Sequence, residues 1–179
     1  MMYPIANHET RVYSGIVLER LKHLQPGGKM GDLPPHLQHQ SFVRTGDKKT
    51  GGPNMRLLRL EMDKPALTVT AYIFNKFVHP IENRYLTPRE AACLQDFPVD
   101  YVFKGTQGQV HQQIGNAVPV RLGRAMAGAV AEYFERQATT GEILLASYFC
   151  GAGGLDLGFE QASTPHLHFK TGFTTDIEP

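Results

Sequence analysis

The residues best suited to chemistry lie late in the chain, at Gly151-Ala152-Gly153-Gly154. An apolar run, Ile143 to Phe149, leads into these glycines, and a helix-like stretch leaves them at Leu155. That is the layout of a strand, a tight turn and a helix N-terminus. Such a turn lets a ligand come close to the backbone, and a helix start offers unpaired N–H groups. Phe169 to Thr175 reads as a second strand ending at Asp176 and Ile177. The pattern is that of a nucleotide-binding βαβ unit, with Asp176 as its acid, although an ordinary helix cap also explains Asp176. The two cysteines, Cys93 and Cys150, have no metal-type spacing and read as small buried apolar groups.

The elements that must position this turn come before it. The chain has 179 residues, 41% apolar and 20% charged, with net charge +1, enough for a packed core and neutral towards nucleic acid as a whole. No run is long enough to span a bilayer and no signal peptide opens the chain, so a cytoplasmic setting is expected. Val12, Ile16, Val17, Leu21 and Leu24 predict a first helix, ended by Pro26-Gly27-Gly28. Ser41 to Asn54 reads as an exposed loop carrying Lys48-Lys49, either a solvated surface or a phosphate contact. Arg56 to Leu60 and Leu67 to Tyr72 predict a β-hairpin turning at Asp63-Lys64-Pro65. At Thr87-Pro88-Arg89-Glu90 the spacing predicts a capped helix: Thr87 as N-cap, Pro88 at the first position and Glu90 closing a capping box, with Leu86 and Ala91 as a staple. Gly115-Asn116 reads as a turn before a helix marked by Leu122, Met126, Val130 and Tyr133, which Asn116 could simply cap. Both strands flanking the glycine turn read as buried on both faces.

Taken together, these blocks resemble the DNA cytosine-5 methyltransferases. Arg84 to Pro98 looks like the family's ninth motif, Gln113-Ile114-Gly115-Asn116-Ala117-Val118-Pro119 like the tenth, Phe149 to Gly154 like the first, and Thr175 to Pro179 like the second. Asn7-His8, Pro26-Gly27-Gly28 and Lys64-Pro65-x-x-Thr68 resemble the region leading into and through target recognition. The resemblance implies an α/β fold: a partial, Rossmann-like S-adenosylmethionine-binding domain with a small mixed β-rich recognition part. The segments would be 1–83 for recognition, 84–137 for the ninth and tenth motifs, and 143–179 for the first half of the cofactor sheet. It implies S-adenosylmethionine as cofactor, held by Phe149, Cys150, Gly151, Ala152, Gly153, Gly154 and Leu155, with Asn116 and Ala117 on one side. Asp176 would hold the ribose, Phe149 and Ile177 would sandwich the adenine, and the helix start would favour the tail's carboxylate. Duplex DNA is the implied partner, met by Arg56, Arg59, Lys64, Thr68 and Thr70.

Two features depart from the family. The target-recognition, ninth and tenth motifs precede the first, which is the order of a circular permutation. The reaction's Pro-Cys, Glu-Asn-Val and Gln-x-Arg-x-Arg segments do not occur in these residues. The expectation is therefore a split or truncated prokaryotic or phage enzyme, whose nucleophile comes from a second polypeptide or from sequence lost by truncation. The alternatives are a non-catalytic DNA-binding subunit of a restriction–modification system and an inactive gene remnant. An open apolar edge on the half-sheet would make the chain oligomeric, partnered or poorly soluble.

Overall fold

The computed structural model describes residues 5–39, 57–71 and 75–177. Lys48-Lys49, Arg56 and Tyr72 lie outside them. Helix α1 spans Gly15–His23 and is followed by two single-turn 3-10 helices, Met30–Asp32 and Pro35–Leu37. Short strands β1 (Leu58–Arg59) and β2 (Phe77–Val78) come next, then helices α2 (Pro88–Leu94), α3 (Gln107–Asn116) and α4 (Val120–Arg136). Strand β3 (Gly141–Tyr148), helix α5 (Gly154–Gln161) and strand β4 (Leu167–Thr175) complete the order.

The first helix is shorter than its apolar stripe. Gly15 sits at φ 55°, and Val12 lies ahead of the helix, almost fully exposed. Leu21 and Leu24 do turn inward, joining Met30, Leu33, Leu37, Leu57 and Val78 in one core. Among the described residues the expected hairpin is absent. Leu58 and Arg59 pair instead with Phe77 and Val78, in parallel. Thr68 to Ala71 forms no strand.

The capping box of α2 forms as its sequence dictates. Glu90 N–H donates to Thr87 Oγ1 at 3.2 Å, and Thr87 N–H donates to Glu90 Oε2 at 2.8 Å. Arg84 grips the same carboxylate with two bonds of 2.7 Å. Burial works to raise the Glu90 pKa, but the bonds from Arg84 and Thr87, with the charges of Arg84 and His79, hold it at about 2. Asn7 ties the N-terminal segment down, its side chain bonding both the N–H and the carbonyl of Phe103.

Gln107 to Asn116 is a helix, so Gly115-Asn116 is not the expected turn. Asn116 ends α3, and the N-cap of α4 is Pro119. A Cβ on Gly115 would lie 2.2 Å from the backbone at Thr70-Ala71, so glycine is needed there for close approach. The main core joins Val69 and Phe77 to Ala91, Phe97, Phe103, Val110, Ile114, Val120 and Ala152.

Strands β3 and β4 are parallel, from Gly141 opposite Leu167 to Tyr148 opposite Thr175, with a bulge after Leu145. One face is covered: Leu167 and Phe169 pack with Ala127 and Ala131 of α4, and Phe159 of α5 joins them. The other face is open, with Leu144 and Tyr148 each 66% and Phe173 52% exposed. The expectation that these strands are buried on both faces therefore holds for one face only.

Candidate functional site

A cleft of about 750 Å³ opens where the glycine turn, the start of α5, the end of β4 and the end of α3 converge. Asn116, Ala117, Phe149, Cys150, Gly151, Ala152, Gly154, Leu155, Asp176 and Ile177 all line it. These are the residues expected to hold a cofactor, except Gly153. Gly153 is the N-cap of α5 at φ 67°, a left-handed conformation that glycine adopts without strain. Gly154 has a different reason to be glycine. A Cβ there would lie 2.2 Å from the Val118 carbonyl oxygen, so its missing side chain serves the packing of the turn on the α3–α4 connection.

The α2 segment holds both walls. Arg89 is buried; it donates to the carbonyls of Ala6 and Pro98 at 3.1 and 2.9 Å, and also to that of Tyr101. Gln95 Nε2 donates to the carbonyls of Ile114 and Ala117 at 3.1 and 3.3 Å, and the Gln95 carbonyl accepts from Val120 N–H at 3.0 Å. Arg89 thus fixes the segment carrying Tyr101, and Gln95 fixes the segment carrying Asn116 and Ala117. From the cleft edge, the Tyr101 hydroxyl donates to the Ala152 carbonyl at 2.7 Å. Tyr101, Arg89 and Gln95 were not among the expected site residues. The one trace in sequence was a pair of long polar side chains, one in a short, well-capped helix and one at its C-terminal cap.

The polar groups of the cleft are unevenly satisfied. Asp176 accepts from Gly151 N–H at 2.6 Å and from its neighbour Ile177 N–H at 2.7 Å. Asp156, in the first turn of α5, also lines the cleft, but its Oδ2 is buried without a hydrogen-bond partner. Burial, then the charges of Asp156 and Cys150, push the Tyr101 phenol above its ordinary value. Phe149 is held at φ 57° and is 74% exposed at the cleft. A bulky residue in that region is an outlier, of the kind that clusters at ligand sites.

A sequence profile for C-5 cytosine-specific DNA methylases matches residues 12–132. The chain belongs to that family. It is 36% identical over 139 residues to the type II methyltransferase M.AquIB of Picosynechococcus sp., covering 72% of this chain and 88% of that protein. It is 40% identical over 126 residues to M1.HphI of Haemophilus parahaemolyticus, covering 70% of this chain and 31% of that protein. With M.Eco47II of Escherichia coli the identity is 36% over 138 residues, covering 74% and 32%. The chain thus spans most of M.AquIB and about a third of the other two.

The residues of this methylase chain expected to meet DNA fall into two groups. Arg59 is 4% exposed, and its five N–H groups go to the carbonyls of Leu21, Leu24, His79 and Glu82 and to Asn83 Oδ1. With every donor used inside the fold, Arg59 has none for a phosphate, which corrects the expected role. Lys64, Thr68 and Thr70 are exposed, with Val69 buried between the two threonines. Lys64 pairs with Glu61 at 2.8 Å. The expectation of two buried cysteines also fails: Cys93 is exposed, and Cys150 is half-buried in the cleft wall. Among the described residues, no cluster of three or more His, Cys, Asp or Glu could hold a metal, and no helix is long and apolar enough to cross a membrane.

Proposed function

We propose that this chain is the recognition and cofactor-binding portion of a circularly permuted DNA cytosine-5 methyltransferase from a restriction–modification system. One observation carries the reading. Asn116 and Ala117, from the segment resembling the tenth motif, share one cleft with the glycine turn and Asp176, which follow later in the chain. The short connection from α4 to β3 makes that order physically easy, because helix and strand pack directly together.

The cleft suits S-adenosylmethionine on three grounds. The turn is built on left-handed Gly153, the acid Asp176 closes β4, and an unpartnered carboxylate oxygen on Asp156 awaits a donor. Asp176 would face the ribose, Phe149 and Ile177 the adenine, and the start of α5 the amino-acid tail. When bound, the cofactor supplies a methyl group on a cationic sulfur. The chain's own residues bind and orient it.

Lys64, Thr68 and Thr70 would meet duplex DNA, together with Arg56 and the Lys48-Lys49 segment. The cytosine nucleophile would come from elsewhere. No Pro-Cys pair occurs in these residues, Cys93 is on α2, and Cys150 follows Phe149 in the cofactor turn. A second polypeptide, or further sequence of the same protein, would bring the nucleophile and cover the open face at Leu144, Tyr148 and Phe173.

Calorimetric titration with S-adenosylmethionine tests the cleft. Saturable binding that falls at least about tenfold in Asp176→Ala and Asn116→Ala is the expected result. Binding unaffected by both substitutions would place the cofactor somewhere else.

A further inference from the structure

Resting on that reading of the cleft, we infer that Asp156 is the counter-charge for the α-ammonium group of the cofactor's amino-acid tail. Asp156 and Asp176 are the two carboxylates lining the cleft, and they are in opposite states. Asp176 already accepts from Gly151 and Ile177. Asp156 Oδ2 is shut off from solvent with no donor. Leaving such an oxygen unpaired is costly, so a donor is needed from outside the described fold. The nearby phenol cannot serve, because the Tyr101 hydroxyl is spent on the Ala152 carbonyl.

The location selects the kind of donor. Asp156 stands in the first turn of α5, and its Oδ2 is 3.9 Å from where a Cβ on Gly153 would sit. No side chain caps the start of α5. An amino-acid zwitterion presents a carboxylate and an ammonium on one carbon. A helix start with an unpartnered carboxylate oxygen beside it offers the matching pair, N–H groups for the anion and Asp156 Oδ2 for the cation. A neutral hydroxyl would leave the Asp156 charge uncompensated. The tail's carboxylate alone would be repelled by it.

The test is equilibrium binding of three ligands to the full chain and to its Asp156→Asn variant. S-adenosylmethionine and S-adenosylhomocysteine both carry the ammonium, whereas 5′-methylthioadenosine lacks the amino-acid tail. Asp156→Asn should weaken the first two by similar factors of about tenfold or more, the size expected for a lost charge-assisted bond, and change the third less than about twofold. The variant should melt no lower than the wild type, since Asp156 Oδ2 makes no hydrogen bond within the described fold. Equal loss for all three ligands, loss for none, or loss for S-adenosylmethionine alone would overturn the assignment, the last by pointing to the sulfonium instead. If the wild-type chain binds none of the three, the reading of the cleft itself fails. If it binds them without the predicted pattern, only the role of Asp156 fails.

Discussion

The Tyr101 hydroxyl donates to the Ala152 carbonyl at 2.7 Å, joining segments 51 residues apart in the chain. Arg89 fixes the backbone at Tyr101, and Ala152 is the centre of the glycine turn, so this one bond links the α2 region to that turn. Tyr101→Phe keeps the ring packing against Phe97 and Phe103 and removes only the bond. We expect a stability loss of about 1 kcal/mol and cofactor affinity weaker by up to about fivefold. Thermal melting and calorimetric titration of the variant check both.

The glycines of the turn are not equivalent. Gly154→Ala drives a Cβ to 2.2 Å from the Val118 oxygen, whereas a Cβ on Gly151 would meet no described atom within 4 Å and the constraint there is a φ of 54°. Gly154→Ala should therefore cost about 3 kcal/mol, an overpacking penalty, and Gly151→Ala about 1 kcal/mol, a backbone penalty. Denaturant unfolding of the two variants, measured side by side, should rank them in that order.

Arg59 and Lys64 should separate stability from DNA binding. Arg59→Lys leaves one ammonium to serve five acceptors and should cost about 3 kcal/mol in thermal unfolding. Lys64→Ala should leave melting within about 0.5 kcal/mol of wild type, and should weaken DNA binding and flatten its salt dependence. Filter binding across a salt series distinguishes the two effects.

Acid should destabilise the fold in two stages. His111 is buried; burial first, then the charge of Arg11, lowers its pKa to about 4. The unfolded imidazole takes its proton near 6.5, so this contribution is complete above about pH 6.5 and is lost as pH falls towards 4. Glu90, held at about 2, acts in a lower window, losing its contribution between about pH 4.3 and 2. Each amounts to at most about 3 kcal/mol. Unfolding free energy measured against pH should show both limbs, and His111→Gln should remove the upper one.

What was legible in the sequence was mostly local. The Thr87–Glu90 box, the glycine turn and the strands around it depend on neighbours in the chain, and they form where their residues predict. The strands begin earlier than expected because Glu142 and His168, polar on the open face, still pair across the sheet. The non-local features were not legible. Leu58 pairs with Phe77, nineteen positions on, which no hairpin signal could show. Helix α3 carries only Val110, His111 and Ile114 inward, too thin a stripe to outweigh the turn suggested by Gly115-Asn116. Arg59 looked like a surface cation because its burial depends on carbonyls gathered from the end of α1 with its C-cap and from the residues after β2.

Transfer of labelled methyl groups from S-adenosylmethionine to cytosine in duplex DNA tests the central claim most directly. The chain should be assayed alone and with a polypeptide carrying Pro-Cys and Glu-Asn-Val segments. Neither component alone should transfer methyl groups, and the mixture should. Robust transfer by this chain alone would contradict that claim.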